Sequence, residues 1–459
     1  MTDTSIAARR RVLAATSISY VVVVLDTSIV NVTLDSLSAA FDTHVEGLQW
    51  VVSAYTLMFA SLLLSGGMLG DRWGARRIYL AGLLLFTAAS LVCAMAGMLP
   101  VLVLARAVQG IGAAMLVPCS LKLIRQAYPD ASERARAIGL WVGLGGIAMA
   151  AGPLIGGVLI HNYGWRSIFV VNVPICLAGV FMAWRIREEA ASTQRGRVDL
   201  AGQLCAMVAL ASLIAVTIEG QGRGWTSAPI IAGALIALFA GLAFLRIESR
   251  HAHPMLPLSL FKNGVFFGST CVSMASAFVF YGLFFAISLD FQQAHAYSPL
   301  QTGLALLPMT AMVAAGSLLA GRLARRWGVA WPMKLAFAGY GAGAIGLWLA
   351  AGSAHYVSII APMLAIGFAS GFISPAATAP ALDTVTPHLS GVAAAALNSA
   401  RQVGAAMGVA VFGAMVGATH SFQTGLRAAL VLAVIVSLAA MPVWGRALRA
   451  PRPHDMTSA

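Results

Sequence analysis

The chain has 459 residues, of which 59% are hydrophobic and only 10% charged, with a mean hydropathy of +0.84 and a formal net charge of +13. A soluble domain carries roughly 25% charged residues, so this chain lacks the polar material to cover a water-facing surface. That excludes a soluble enzyme and the nucleic-acid binder that the basic charge alone would suggest.

Apolar runs of about 20 residues recur, long enough at about 1.5 Å per residue to cross a hydrocarbon core of roughly 30 Å. The alternating pattern of an outer-membrane barrel is absent. The first run, 12–36, follows Arg9, Arg10 and Arg11. It is too long for the core of a signal peptide and has no convincing cleavage site, so it reads as a spanning helix. Thirteen more follow, at 49–70, 77–97, 100–123, 137–160, 167–186, 200–218, 227–246, 264–289, 300–321, 331–351, 355–381, 393–418 and 426–446.

With the N-terminus placed inside, the 29 Lys and Arg distribute one-sidedly. Arg106 and Arg401 lie deep within spans, Arg166, Arg223 and Arg427 fall at the outer face, and the remaining 24 are cytoplasmic. This is the positive-inside pattern. It predicts a multi-pass protein of the cell membrane with both termini in the cytoplasm, and it makes the basicity a topology signal with no nucleic acid implied.

Asp26 stands in the middle of the first span, within YVVVVLDTSIVNVTL. From the span limits it lies about 21 Å from the inner end and about 15 Å from the outer end. A charge at that depth costs at least about 2.5–3.5 kcal/mol. Two uses are consistent with it: a carboxylate permanently satisfied by a neighbouring helix, or a proton carrier. Burial favours the protonated form of a carboxyl group and a nearby cation favours the ionised one, so a group pulled both ways can be switched by conformation. Arg106, in the fourth span and about 9 Å from its outer end, is at a similar depth and is the natural counter-charge. Gln109 is three residues on, roughly on the same helix face.

The loop GMLGDRWG at 67–74 has a second copy, GRLARRWG, at 321–328. Gly67, Leu69, Arg72, Trp73 and Gly74 match Gly321, Leu323, Arg326, Trp327 and Gly328 without gaps. The offset of 254 residues spans eight helices, so two helices stand inserted between two six-helix halves. Internal repeats of this kind mark secondary transporters. The halves predicted are 1–186 and 248–450, joined by a polar linker at 187–199 and an inserted pair at 200–247, with a tail at 451–459.

In the fifth span Ala148, Gly152 and Gly156 recur at spacing four beside Pro153 and Gly157, which permits close helix contact and a bend. In the ninth, Phe280, Tyr281, Phe284 and Phe285 form an aromatic patch that suits flat lipophilic ligands but is more simply lipid-facing. Arg401 in the thirteenth span, flanked by Asn398 and Gln402, either lines an internal cavity or reaches towards the membrane surface. The five cysteines sit in apolar segments at no metal-like spacing, no phosphate-binding loop or HExxH string occurs, and the expectation is no enzyme, no cofactor and no metal.

These segments together resemble the major facilitator superfamily. GDRWGARR (70–77) is similar to its loop motif, and LDTSIVNVTL, LARAVQGIGAA, GGIAMAAGPLIGGVL and LNSARQVGAAMGVAV are similar to the first-, fourth-, fifth- and thirteenth-helix segments of its fourteen-helix drug:proton antiporters of the EmrB/QacA type. The resemblance implies an all-α membrane fold of two six-helix bundles plus an inserted pair. It implies a proton-coupled exporter of lipophilic drugs, antiseptics or a natural product, acting as a monomer with a small-molecule substrate, protons and the lipid bilayer as partners. On the same footing, Asp26, Arg106 and Gln109 would couple protons. Gly67, Asp71, Arg72, Gly74 and Arg76 would form a latch for the outward-facing state, with Asp71 held by helix-end amides or neighbouring arginines. Gly152, Pro153, Gly156 and Gly157 would form the antiporter helix, and Asn31, Tyr281, Asn398, Arg401 and Gln402 would line the cavity. Proton symport of a metabolite, or a membrane sensor that does not transport, are the competing readings.

Overall fold

The computed structural model describes residues 3–186, 199–251, 254–351, 355–386, 389–418 and 421–449. The described residues contain no strand, as expected where lipid offers backbone groups no hydrogen-bond partner and each segment must satisfy its own. Among the described residues fourteen helices are long and apolar enough to cross a membrane. In order they are α1 (Ala7–Phe41), α2 (Val45–Trp73), α3 (Ala75–Met95), α4 (Leu99–Ala127), α5 (Ser132–Tyr163), α6 (Ser167–Trp184), α7 (Leu200–Arg223), α8 (Ala228–Arg250), α9 (Gly264–Ala294), α10 (Pro299–Trp327), α11 (Ala330–Ala350), α12 (Val357–Asp383), α13 (Ser390–Gly417) and α14 (Phe422–Ala447). They reproduce the fourteen spans read from sequence. Most ends extend by a few residues, because hydropathy fades before the helix does.

Side chains close several of the helix starts. The Asp130 carboxylate accepts the backbone N–H groups of Ser132 and Glu133 at the head of α5, an N-cap. Those amides and the Ser132 hydroxyl hold its carboxyl below the usual carboxylate range. Ser298 and Gln301 form a reciprocal capping box at the start of α10. Gly74 and Gly328, at the ends of the two repeated loops, both take positive φ, 95° and 71°, which only glycine adopts without strain. Just before them Arg72 lies over Trp73 and Arg326 over Trp327, each at 5.7 Å. The repeat in the letters is thus a repeat in shape.

The packing follows the same eight-helix offset. The contacts α1–α5, α1–α6, α2–α4, α3–α4 and α3–α6 recur as α9–α13, α9–α14, α10–α12, α11–α12 and α11–α14. The first six helices meet the last six mainly through two related pairs, α2–α13 and α5–α10. The inserted pair lies outside this arrangement: α7 rests on α2 and α13, and the most apolar stretch of α8 is only 6% buried, leaving it to lipid. Of the linker expected at 187–199 only Asp199 is described, where it caps α7. The tail expected at 451–459 lies outside the described residues.

Two of the irregular helices face one another. α1 tightens into a 3-10 turn at Val30–Thr33, and α9 ends in a π-helical turn at Asp290–Ala294. The Asn31 carbonyl accepts from Ser288 Oγ at 2.5 Å and from Gln292 Nε2 at 3.0 Å, while Gln292 Oε1 accepts the Asp35 backbone N–H at 2.9 Å. All three side chains are buried. The backbone groups freed by the break in one half are therefore satisfied by the other half. Further contacts between halves lie on the same side: Gln49 Nε2 donates to the Ala410 carbonyl at 2.6 Å, and Thr310 Oγ1 to that of Ala150 at 3.1 Å.

Candidate functional site

Asp26, Arg106 and Gln109 meet in one buried cluster. Asp26 and Gln109 are 0% exposed and Arg106 is 1% exposed. Arg106 Nη1 donates to Asp26 Oδ2 and, at 2.8 Å, to Gln109 Oε1; its Nε donates to the Val51 carbonyl at 3.2 Å. The guanidinium lies 4.5 Å from the Tyr55 ring centroid and 5.9 Å from that of Phe169, so its charge also rests on aromatic faces. Asp26 Oδ1 receives Asn172 Nδ2 at 2.8 Å and Gln109 Nε2 at 3.4 Å. Gln109 Nε2 also donates to Ser90 Oγ at 2.8 Å, and the Cys93 thiol donates to Gln109 Oε1 at 3.4 Å. Five of the first six helices, all but α5, supply an atom to the cluster.

Every group bonded to Asp26 is a donor, so the arrangement fits an ionised carboxylate. Taking either charge out of water alone costs several kcal/mol, and pairing plus hydrogen bonding is what makes both tolerable. Moving 254 residues on from Asp26 leads to Phe280, stacked on Phe284 with centroids 5.7 Å apart. The two halves are alike in packing and unlike in charge.

The sequence did not mark Asn172, Ser90, Cys93 or Tyr55 for this site. Asn172 carries a usable signal, an amide inside the apolar stretch FVVNVPIC. Ser90 and Cys93 carry none, since a small residue in a membrane helix is ordinarily packing.

The loop residues are placed differently from expectation. Asp71 pairs with Lys122 of α4 at 2.6 Å, within its own half, and its side chain stays 62% exposed. Lys122 also donates to the Gly70 carbonyl at 3.1 Å. Arg76 caps the end of α6 through the Ala183 and Trp184 carbonyls, at 3.3 and 2.5 Å. Gly67 approaches Pro118 of α4, where an added Cβ would lie in ordinary contact at 3.6 Å.

On α5 the small residues divide between two partners. A Cβ at Gly156 would meet Ile29 and Val32 of α1, each at 2.6 Å, and one at Gly157 would meet the Pro299 carbonyl oxygen of α10 at 2.7 Å. Gly152 faces Ser28 of α1, and the Pro153 carbonyl faces Gly303 of α10. α5 is therefore wedged between α1 and the opposite half with no room for larger side chains.

The residues expected to line a cavity fall into two groups. Asn31 belongs to the seam, its side chain turned back to the Thr27 carbonyl at 3.1 Å. Tyr281, Asn398, Arg401 and Gln402 are half-buried. Arg401 donates to Ser374 Oγ of α12 at 2.7 Å. That hydrogen bond seats the guanidinium against α12 of its own half. Tyr20 is stacked on Trp141 at 3.7 Å. The lipid-facing reading of the aromatic patch is overturned: Phe280, Phe284 and Phe285 are at most 2% exposed.

A sequence profile of the Major Facilitator Superfamily matches residues 16–409. The chain is 37% identical over 435 residues, 94% of its own length and 93% of the relative's, to the methylenomycin A resistance protein of Bacillus subtilis (strain 168). It is 35% identical over 409 residues, 88% of its own length and 75% of the relative's, to the multidrug resistance protein Stp of Mycobacterium tuberculosis (strain CDC 1551 / Oshkosh). Among solved structures it is similar in fold to a bacterial homologue of the human lysosomal transporter Spinster in an inward-facing, unoccupied conformation, with a TM-score of 0.67 and 17% identity over 96% of this chain and 97% of that one.

Proposed function

The chain belongs to the major facilitator superfamily, and from that premise we propose that it exports a small organic molecule in exchange for protons by alternating access. The buried Asp26–Arg106 pair carries the reading. A carboxylate held at mid-membrane by donors alone is stable as long as it keeps its charge; adding a proton cancels its half of the pair and favours a different arrangement of α1 and α4. Protonated Asp26 and bound substrate then favour opposite conformations, and each expels the other.

The names of the two relatives, one for resistance to a single antibiotic and one for multidrug resistance, support an antibiotic-like cargo moving outwards. The stacked Tyr20–Trp141 pair and the half-buried Tyr281 and Arg401 offer such a cargo aromatic faces and one cation. A potential of 100 mV contributes about 2.3 kcal/mol per net charge moved inwards. One proton exchanged for a neutral substrate draws on it fully, whereas one proton for one monovalent cation draws nothing. The test is dye or antibiotic efflux from energised cells: a protonophore abolishes it if protons drive export, and efflux that continues with the gradient collapsed rejects the coupling.

A further inference from the structure

We infer that Asn172 is a positioning residue that serves both protonation states of Asp26 by turning its side-chain amide, an inference that rests on the proton-carrying role proposed for Asp26. Three observations lead to it. Asn172 is 0% exposed and its Nδ2 donates to Asp26 Oδ1 at 2.8 Å. The other end of the same amide, Oδ1, is buried with no hydrogen-bond partner. A buried amide carbonyl left without a donor is costly, and here it sits one bond rotation away from the Asp26 carboxylate.

A protonated Asp26 has a need that the ionised form lacks. Its new O–H requires an acceptor, yet Arg106, Gln109 and Asn172 all present donors to it. Gln109 Oε1 is already taken by Arg106 and Cys93. The Asn172 carbonyl is not taken. Half a turn about the Cβ–Cγ bond exchanges the two ends of the amide, which are nearly the same shape, so neighbouring atoms need not move. In the ionised state N–H donates to the carboxylate oxygen. After a proton binds Asp26 Oδ1, the turned amide accepts that O–H through its own oxygen. One residue thereby lowers the cost of both states, which is what a group that must load and unload a proton each cycle requires. Gln109, fixed from three sides, keeps its orientation throughout.

The test is infrared difference spectroscopy of the purified transporter between alkaline and acidic pH, reading the C=O stretch of the protonated carboxyl group. The band due to Asp26 is the one missing from Asp26→Asn. In Asn172→Leu, which has a similar volume and no amide, that band moves to higher frequency, because the acid has lost its acceptor, and proton-driven export slows about tenfold or more. If leucine does not fit the packing, Asn172→Val is read in the same way, with membrane abundance as the check on folding. An Asp26 band at an unchanged frequency in the variant overturns the role of Asn172. Absence of any Asp26-dependent band in the unmutated protein overturns the proton-carrying role itself, and the two failures are distinguishable.

Discussion

Gln292 holds the Asn31 carbonyl and the Asp35 amide with one side chain, and so bridges α9 to the 3-10 break in α1 across the seam between the halves. The break begins four residues beyond Asp26. A change at the carboxylate thus lies one helical turn from the contact that closes this face.

Truncating that bridge opens the seam. Gln292→Ala removes hydrogen bonds made across the seam, each contributing about 1 kcal/mol. A cysteine placed at Thr33, which is 0% exposed, then reacts about tenfold faster with a membrane-impermeant thiol reagent on a background lacking the native cysteines. An unchanged rate would mean that α2–α13 and α5–α10 close the face without Gln292.

The loop pair is expected to act on transport and hardly on folding. The Asp71–Lys122 bridge is exposed, with side-chain exposures of 62% and 28%, and such a pair stabilises by at most about 1 kcal/mol. Asp71→Asn is expected to leave membrane abundance intact and to slow transport more than Arg325→Ala, its counterpart in the repeat. Equal losses would reduce both loops to topology anchors.

Topology is checked independently of mechanism. An impermeant reagent labels a cysteine at Thr226 in intact cells and one at Ser259 only after the membrane is opened. Labelling of Ser259 alone in intact cells inverts the proposed orientation.

Arg401 offers a test of whether cargo recognition and proton coupling are separate. Arg401→Gln is expected to alter which compounds are exported, with several-fold changes in a resistance panel, while proton release that depends on Asp26 persists. Loss of proton release together with all export would place Arg401 in the coupling machinery.

Much of this was legible in the letters, for identifiable reasons. Asp26 and Arg106 are visible because a charge in an apolar run is expensive, and their depths follow from counting residues along a helix. The two Arg-Trp-Gly loops reveal the repeat because both retain the residues that shape the turn. The partners are less legible. Lys122 looks like one more cytoplasmic cation, and Gln292 like an ordinary polar residue near a helix end, until the neighbouring helix is known. Phe280 and Phe284 were misassigned to lipid because the interior of a membrane protein is as apolar as its surroundings, so hydrophobic periodicity does not tell inside from outside. Asn172 could have been suspected, but its carboxylate partner lies 146 residues away.

The most direct measurement is proton release on substrate addition to proteoliposomes carrying Asp26→Asn. The substitution keeps size but leaves the buried Arg106 guanidinium without its counter-charge and turns one acceptor oxygen into a donor, so proton release is read per molecule of transporter in the membrane. Arg106→Ala strands the buried carboxylate instead, at a cost of about 3–5 kcal/mol, and is expected to lower abundance. The account predicts that Asp26→Asn releases no protons when substrate binds and pumps nothing uphill on a proton gradient. An Asp26→Asn protein that still exchanges protons for substrate would show the carboxylate to be structural and contradict the mechanism.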